Sequence, residues 1–384
     1  MRVLIVKTSS MGDVLHTLPA LTDAAQAIPG IRFDWVVEEG FAQIPSWHPA
    51  VDRVIPVAIR RWRKAWFSAP VTAERQTFRN AVKERQYDAI IDAQGLVKSA
   101  ALVTRLAHGV KHGMDWHSAR EPLASLFYKR RHAIAKQQHA VERTRELFAK
   151  SLGYAKPQAQ GDYAIAQHFT SSAAPVSSYA VFLHATTRDD KHWPESHWRT
   201  LIGLLKGSGL QIKLPWGAPH EEARAKRLAE GFDYVDVLPK MSLEKVAQTL
   251  AGAKFVVSVD TGLSHLTAAL DRPNVTLYGP TDPGLIGGYG KNQHICRASD
   301  GDLAHLSADT VFNEISLFTF CAFVVVRDVS ASEIRAAVDN RQQIGADFFA
   351  EFPFLCHGFV AKHEVGFRFM AEGFMCENAC RKGR

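Results

Sequence analysis

The sequence predicts an α/β protein made of two halves, each built around a parallel, doubly wound sheet. Two observations predict this class: short β-branched runs alternate with helical periods of apolar residues from Arg2 to about Tyr154, and the same alternation returns after about Ser178. Strands that alternate with helices form parallel sheets, because each helix carries the chain back to the starting edge. Between the halves the sequence is rich in Gln, Ser, Ala, Gly and Pro, which indicates a linker.

The first half shows short apolar runs separated by segments with helical periodicity. Its opening run is too short, and the residues after it too polar, for a secretory signal, so we interpret this run as the first strand. The predicted strands are Val3–Val6, Phe33–Val37, Val54–Val57 and Tyr87–Asp92, and the predicted helices are Val14–Ala27, Thr72–Arg85 and Val97–Leu106.

The second half repeats this pattern without repeating the sequence. Its predicted strands are Ala180–His184, Gln211–Leu214, Tyr234–Val237, Phe255–Val259 and Val275–Tyr278, and its predicted helices are Pro194–Leu205, Glu221–Leu228, Leu243–Ala251 and Leu263–Leu270. We therefore expect two Rossmann-like domains, residues 1–170 and 171–315, that face a central cleft. Residues 316–384 are an atypical Phe-rich and Cys-rich tail that the α/β pattern does not explain, and we expect it to be poorly packed on the two domains or to pair with another surface.

The amino-acid composition indicates a globular protein and argues against a membrane-spanning or disulfide-rich one. The 384 residues are 46% hydrophobic and 22% charged, which is typical of a soluble globular protein with a large core. No uninterrupted apolar stretch approaches the roughly 20 residues of a membrane-spanning helix. Cys296 alone of the five cysteines precedes residue 321, so we expect no disulfide framework and a reducing cytoplasm. The spacing of Cys376 and Cys380 favours free thiols over a zinc site.

A polar corner follows the predicted strand Phe255–Val259. Asp260, Thr261 and Gly262 stand at the strand's carboxyl end, where open α/β sheets bind ligands, and a helix begins at once. The Asp260 carboxylate can bind sugar hydroxyls, the helix N-terminus suits a phosphate, and Gly262 lets a ligand approach closely. The alternative is an ordinary turn in which Asp260 or Thr261 caps the helix. This segment alone leaves both interpretations open.

A second polar loop follows the predicted strand Ala180–His184. Thr186, Thr187 and Lys191 provide two hydroxyl donors and one cation just before a helix that begins near Pro194. Such groups suit a diphosphate, whose charge grows as a nucleotide leaves. A solvated loop carries the same residue types, but this loop and the Asp260 corner end strands of the same half, so one ligand can contact both.

The loop after the first strand runs from Lys7 to His16. A dinucleotide fingerprint requires three glycines there, and only Gly12 is present, which argues against a nicotinamide oxidoreductase. No Gly-Lys-Ser/Thr of a P-loop occurs either. Asp13 stands at the start of a helix, where it serves as a cap or as a general base, and Lys7 can hold an anion beside it.

The net charge of +7 is densest in the basic run Arg60–Phe67, which implies an acidic partner. A solvated face, nucleic acid, an acidic substrate and an anionic lipid surface are the candidates. The rings of Trp62, Trp66 and Phe67 shift the interpretation toward the lipid surface. Among the 17 histidines, His108 and His112 flank a glycine in a predicted turn, so we expect no metal site.

Together these motifs resemble those of the lipopolysaccharide heptosyltransferases, glycosyltransferase family 9. The resemblance spans about residues 1–315 and rests on the segments Arg2–Val14, Asp92–Ser99, His184–Thr187, Lys191–Pro194, Val259–His265 and Tyr278–Pro283. It implies a GT-B fold and an inverting enzyme that moves L-glycero-D-manno-heptose from ADP-heptose to the first Kdo of Kdo2-lipid A. It also implies a peripheral location on the cytoplasmic face of the bacterial inner membrane, with no cofactor.

The resemblance also implies residue roles. Asp13 is the general base. The donor-site residues are Thr186, Thr187 and Lys191 at the diphosphate, Glu221 and Met241 around the ribose and adenine, and Asp260, Thr261, Gly262 and His265 at the heptose and phosphates. The acceptor-site residues are Lys7, Arg60, Arg61, Arg63, Lys64, Lys98 and Arg120.

Three alternatives remain at this stage. The sister enzyme that adds the second heptose differs only in its acceptor. A nucleic-acid-binding protein explains the positive charge but gives no role to the two strand ends whose residues suit a phosphate. We therefore expect no nucleic-acid partner. A non-catalytic nucleotide-sugar sensor needs Asp260 and Lys191 but not Asp13.

Overall fold

The computed structural model describes residues 1–170 and 178–316. The chain forms two compact units. The first comprises Met1–Trp193 and Ile212–His305 and contains almost all of both sheets. The second comprises Pro194–Gln211 together with the described residues from Leu306. Residues 171–177, near the end of the predicted linker, and residues 317–384, which include the four cysteines of the predicted tail, lie outside the described residues.

The first sheet has the strand order β3-β2-β1-β4-β5-β6 within the described part of the chain. Its neighbouring strands are parallel, as the alternating pattern predicts. The strands are β1 (Arg2–Val6), β2 (Arg32–Glu38), β3 (Val51–Val57), β4 (Gln86–Asp92), β5 (His108–Met114) and β6 (Arg130–His132).

The second sheet has the order β12-β11-β10-β7-β8-β9 over the same described residues. β10 pairs in parallel with β7 and β11, and β8 with β9. The strands are β7 (Tyr179–Leu183), β8 (Gln211–Leu214), β9 (Val235–Val237), β10 (Phe255–Val259), β11 (Asn274–Tyr278) and β12 (Gln293–Arg297). Both sheets switch direction beside a central strand, which is the α/β architecture that the sequence predicts.

Helices connect the strands in both sheets. They are α1 (Met11–Leu15), α2 (Leu18–Ala27), α3 (Gln43–Ser46), α4 (Ile59–Trp62), α5 (Ala69–Lys83), α6 (Val97–Leu102), α7 (Ala140–Leu152), α8 (Ala166–Thr170), α9 (Glu195–Leu204), α10 (Pro219–Ala229), α11 (Leu243–Ala251), α12 (Gly262–Ala269) and α13 (Pro283–Ile286). Short 3-10 helices add Glu39–Phe41, Thr104–Leu106, Pro122–Phe127, Asp189–Lys191 and Leu303–His305. In the second unit, α9 buries Trp198, Leu201 and Ile202 at helical spacing, and residues 308–316 are helical.

One apolar cluster in the first unit joins the two sheets. It contains Ile5 of β1, Leu183 of β7 and Val256 of β10, all at most 2% exposed, together with Leu15 of α1 and Leu266 of α12. At roughly 25 cal/mol per Å² of apolar surface removed from water, such a shared core favours one arrangement of the two sheets. This cluster therefore fixes the positions of the carboxyl ends of β1 and β10.

Several predicted elements need correction. The single predicted helix Val14–Ala27 is two helices, and Pro19 lies in the first turn of the second one, where its missing N–H costs nothing. The predicted turn around His108 and His112 is strand β5. Its sequence alternates His, Gly and Lys with few apolar residues, so it lacks the apolar run by which the other strands were found. The predictions for β10 and α11 are confirmed at both ends.

Candidate active site

Asp260 is the centre of a polar corner at the end of β10. Its Oδ2 accepts hydrogen bonds from Lys191 Nζ and from the Thr281 hydroxyl, each at 2.6 Å, and its backbone oxygen accepts one from Thr186 Oγ1 at 3.1 Å. These residues follow β7, β10 and β11, which are neighbours in one parallel sheet, so their carboxyl ends share an edge. The corner therefore gathers one cation and two hydroxyls beside a helix N-terminus. Thr281 was not predicted.

Ordinary capping does not describe this corner. The Asp260 side chain binds Lys191 and Thr281, and Thr261, the N-cap residue of α12, makes no side-chain cap bond. The first N–H groups of the eight-residue helix α12 thus have no side-chain acceptor at the cap. A phosphate is the type of group that such an N-terminus binds.

Two glycines allow α1 and α12 to pack closely. A Cβ on Gly12 would lie 2.7 Å from Cδ2 of His265, and a Cβ on Gly262 would lie 3.0 Å from Met11 side-chain atoms. Real Cβ atoms essentially never approach as closely as the first of these distances. The absence of a Cβ at Gly262 therefore leaves room for the Met11 side chain. The sequence alone did not indicate this packing role.

His265 belongs to a buried histidine cluster. Its Nδ1 lies 3.2 Å from His16 Nε2, and the centroid of the His139 ring lies 5.4 Å from that of His16. Burial lowers the pKa of His265, and nearby His139 and Lys191 lower it further, while Asp260 and Asp13 act to raise it. His265 thus lies within electrostatic reach of both carboxylates. The predicted contact of this ring with the heptose and phosphates stays a prediction.

Asp13 lies in the first turn of α1. Its Oδ2 accepts hydrogen bonds from the Ser10 N–H at 2.8 Å and the Ser10 hydroxyl at 3.1 Å, and Lys7 Nζ lies 3.6 Å from Oδ1. Burial acts to raise the pKa of Asp13, but Lys7, Ser10 and Arg120 outweigh it and hold the pKa below its ordinary value. The carboxylate is ionised at neutral pH, and its side chain is 37% exposed, so it is accessible to a ligand.

The loop before Asp13 is held by the side chain of Gln94, which the sequence did not single out for a role. Gln94 Oε1 accepts hydrogen bonds from Thr8 N at 2.8 Å, Ser9 N at 3.1 Å and Thr8 Oγ1 at 3.2 Å. Lys7 Nζ donates to Ala93 O at 3.1 Å. Lys7, predicted as an acceptor-site residue, is buried between this carbonyl and Asp13.

Gln94 is in turn fixed by the buried carboxyl group of Asp92. Asp92 Oδ1 accepts from the N–H groups of Gln94 and Gly95, and Thr104 donates its hydroxyl to Oδ2 at 2.7 Å. Gly95 has φ of +64°, a left-handed conformation that favours glycine. The loops after β1 and β4 therefore form one hydrogen-bonded assembly at the edge of the first sheet.

The basic run divides into two kinds of side chain. Arg61 forms ion pairs with Glu39 and Glu74, and Trp62 is buried and donates its indole N–H to Glu74. The guanidinium of Arg75 lies 3.6 Å from the centroid of the Trp66 ring. The interpretation that all three rings line a lipid surface is therefore wrong for Trp62, because this ring is buried. The Trp66 ring is stacked against the Arg75 guanidinium. Of the three rings Phe67, 94% exposed, is the one that projects into solvent.

The other predicted site residues lie in varied surroundings. Glu221 accepts from the N–H groups of Gly217 and Ala218 at the start of α10, and Met241 is half-buried against the core. The exposed members of the predicted set are Arg60, Arg61, Arg63, Lys64, Lys98, Arg120 and Thr187. Among the described residues, no three His, Cys, Asp or Glu side chains come together as a metal-binding group, and no helix is both long and apolar enough to cross a membrane.

Two parallel six-stranded sheets in the orders seen here form a GT-B-type fold. The family model for glycosyltransferase family 9 (heptosyltransferase) matches residues 75–315, more than half of the chain. The chain belongs to this family.

Individual relatives agree with this membership. Lipopolysaccharide heptosyltransferase 1 of Salmonella typhimurium is 82% identical over 316 residues, which are 82% of this chain and 100% of that protein. The structure of E. coli heptosyltransferase WaaC with ADP superposes with a TM-score of 0.81 at 80% identity, covering 83% of this chain and 100% of that one. Lipopolysaccharide heptosyltransferase 2 of E. coli K12 is 25% identical over 302 residues, 74% of this chain and 84% of that protein.

Proposed function

We propose that this glycosyltransferase moves L-glycero-D-manno-heptose from ADP-heptose to the first Kdo of Kdo2-lipid A in lipopolysaccharide inner-core biosynthesis. The identity of 82% to a heptosyltransferase 1, against 25% to a heptosyltransferase 2, favours addition of the first heptose over the second. Residues 1–170 are assigned to the acceptor and residues 171–315 to the donor.

One observation supports an enzyme over a non-catalytic sensor. Gly12, next to Asp13 in α1, packs against the ring of His265 in α12, the helix that begins just after Asp260, so the ionised group of the first sheet and the polar corner of the second are neighbours. A sensor needs the corner alone. A transferase needs both, because the nucleophile must be activated next to the leaving group.

The reaction is a single displacement. The Kdo hydroxyl oxygen forms a bond to the anomeric carbon of the heptose while the bond from that carbon to the β-phosphate oxygen breaks, and the electron pair leaves with ADP. The hydroxyl proton passes to Asp13, which is a weak base at rest but suffices as the sugar gains oxocarbenium character and the hydroxyl becomes more acidic. One displacement inverts the anomeric configuration.

Lys191 stabilises the departing ADP. In this structure its ammonium group binds Asp260, whose second partner is Thr281. The diphosphate competes with Asp260 for this cation, and its charge increases as the glycosidic bond breaks, so Lys191 contributes more in the transition state than in the ground state. The N–H groups at the start of α12 add to this stabilisation.

The acceptor is anionic, and exposed cations suit its phosphate and carboxylate groups. Arg63, Lys64, Lys98 and Arg120 are exposed, whereas Arg61 is bound by two glutamates. The enzyme acts as a peripheral protein on the cytoplasmic face of the inner membrane, where the lipid acceptor is embedded.

Acceptor choice tests the proposal. Parallel reactions with ADP-heptose receive either Kdo2-lipid A or the same lipid already carrying one heptose, and the rate of ADP release is measured for each. We expect the heptose-free acceptor to react faster by at least about tenfold, as a site built for one acceptor rejects a larger one. A preference for the heptosylated lipid would assign the chain to the second addition.

A further inference from the structure

The 3-10 helix Pro122–Phe127 has apolar side chains on two sides. On its inner side, Ala124 is fully buried and clusters with Tyr128 and with Ala100 of α6. On its outer side, Leu123 is 55% exposed and Leu126 is 61% exposed. A 3-10 helix has three residues per turn, so residues three apart such as these two lie on the same side. The outer pair is an apolar face that the described chain leaves open to solvent.

Several exposed cations lie close to this apolar face along the chain. Residues 116–131 contain Arg120, Lys129, Arg130 and Arg131, all exposed, and a single carboxylate, Glu121. Trp116, which is 47% exposed, stands four residues before Arg120. Exposed leucines and an indole among several cations are typical of surfaces that insert into an anionic lipid headgroup layer.

Two hydrogen bonds fix this surface to the candidate active site. The Glu121 N–H donates to Gly95 O at 3.1 Å, and the Glu121 carboxylate accepts from the Val97 N–H at 2.7 Å. Gly95 follows Gln94, whose side chain holds the loop before Asp13. A partner bound on this surface is therefore held at a fixed place relative to the predicted base.

We propose that Trp116, Arg120, Leu123, Leu126, Lys129 and Arg130, here termed the Leu123 surface, bind an anionic lipid bilayer. The proposal rests on the proposed function, since the lipid acceptor is embedded in such a bilayer. Leu123 and Leu126 enter the headgroup boundary, and these cations pair with lipid phosphates. The surface thereby presents the acceptor sugar to the loop that carries Asp13, a role that the buried Trp62 of the basic run cannot fill.

Co-sedimentation of the full chain with vesicles of phosphatidylglycerol and phosphatidylethanolamine tests the surface. Replacing both leucines, Leu123→Ser with Leu126→Ser, removes apolar insertion and should weaken vesicle binding by at least about tenfold. Ile295→Ser is the matched control, because Ile295 is 49% exposed on β12. The control variant should bind vesicles as the parent does.

Activity assays separate this proposal from the proposed function. With a deacylated, water-soluble acceptor, the double leucine variant should turn over at the parent's rate, whereas with acceptor in vesicles its apparent KM should rise. Vesicle binding equal to the parent's would overturn the proposal, as would a parent that binds no vesicles. A parent dimer that the leucine substitutions dissociate, seen by light scattering, would show that a second copy occupies the surface instead. Failure of the parent to react with both the soluble acceptor and the acceptor in vesicles would reject the proposed function without bearing on vesicle binding.

Discussion

Lys191 Nζ lies 2.6 Å from Asp260 Oδ2 at the carboxyl edge of the second sheet, and both side chains are largely buried, with 14% and 8% of their surface exposed. Removing one member of a buried ion pair leaves the other charge uncompensated, so Asp260 and Lys191 have to be considered together. The pair holds the cation in position before any ligand arrives. A diphosphate that takes Lys191 from Asp260 leaves the carboxylate with the Thr281 hydroxyl as its partner.

The first prediction concerns this pair. Lys191→Ala should weaken ADP binding by more than about tenfold and also lower kcat, because it removes a cation and leaves Asp260 to repel the diphosphate. The double variant Lys191→Ala with Asp260→Asn should recover part of the ADP affinity. Calorimetry with ADP checks both, with Lys226→Ala as the control because the Lys226 side chain on α10 is 66% exposed. An ADP affinity unchanged in Lys191→Ala would place this residue outside the donor site.

The second prediction concerns the base. Asp13→Asn keeps an oxygen that accepts from the Ser10 N–H but cannot take a proton, so kcat should fall by roughly 10²-fold or more while ADP-heptose binding stays nearly intact. Because Lys7 and Ser10 outweigh burial and lower the pKa of Asp13, this group stays ionised from pH 7 down to about 5 and should cause no loss of activity over that range. A variant with activity within a few-fold of the parent's would remove Asp13 from the mechanism.

The third prediction concerns Gln94, which positions the loop before Asp13. Gln94→Leu leaves the N–H groups of Thr8 and Ser9 without their acceptor and should lower kcat by roughly tenfold, since the base then moves from its place. The KM for ADP-heptose should stay constant. Gln94→Glu retains an acceptor oxygen and should recover most of kcat, whereas a merely structural role would appear as a lower melting temperature with kcat unchanged.

The fourth prediction concerns pH and stability through His48. Its Nδ1 accepts from the Ala50 N–H at 3.1 Å, so the neutral ring carries its proton on Nε2, which donates to Thr22. Burial lowers the pKa of His48 from 6.5 to about 4. Between these two values the unfolded chain binds a proton that the native ring does not, so the free energy of unfolding falls as pH decreases from 6.5 to 4.

His48 contributes about 2 kcal/mol to the fall in the free energy of unfolding between pH 7 and pH 5. Urea unfolding at these two values should therefore show a smaller pH dependence in His48→Gln than in the parent. Other buried histidines whose pKa is lowered, such as His16 and His112, act in the same direction and remain in both proteins. Equal pH dependence in variant and parent would contradict the burial of a neutral His48.

Local sequence patterns were sufficient for most of the fold. The buried strands β1 and β10 carry short runs rich in Val and Ile, and α11 carries a clear apolar period, so each was predicted close to its observed ends. Strand β5 was missed because it has few apolar residues to mark it. The break between α1 and α2 depends on Pro19. The apolar periodicity continues across this break, so periodicity alone predicted a single helix.

The candidate site was predictable only in part. Thr186, Lys191 and Asp260 were found because each follows a predicted strand of one half, and strands of one parallel sheet end at one edge. Thr281 and Gln94 were missed because their roles depend on contacts with loops 21 and about 86 residues away, which spacing along the chain does not reveal. Trp62 is likewise buried by packing against Phe78, 16 residues away, which its place in a basic run does not reveal.

The most direct test of the central claim joins donor and acceptor in one reaction. The full chain is incubated with ADP-heptose and Kdo2-lipid A, and ADP release is compared with the amount of lipid product identified by mass spectrometry. We expect one ADP for each lipid that gains one heptose, with inverted anomeric configuration by nuclear magnetic resonance, and product from Asp13→Asn lower by roughly 10²-fold or more. ADP release without a heptosylated lipid, or a product that retains the donor's configuration, would contradict it.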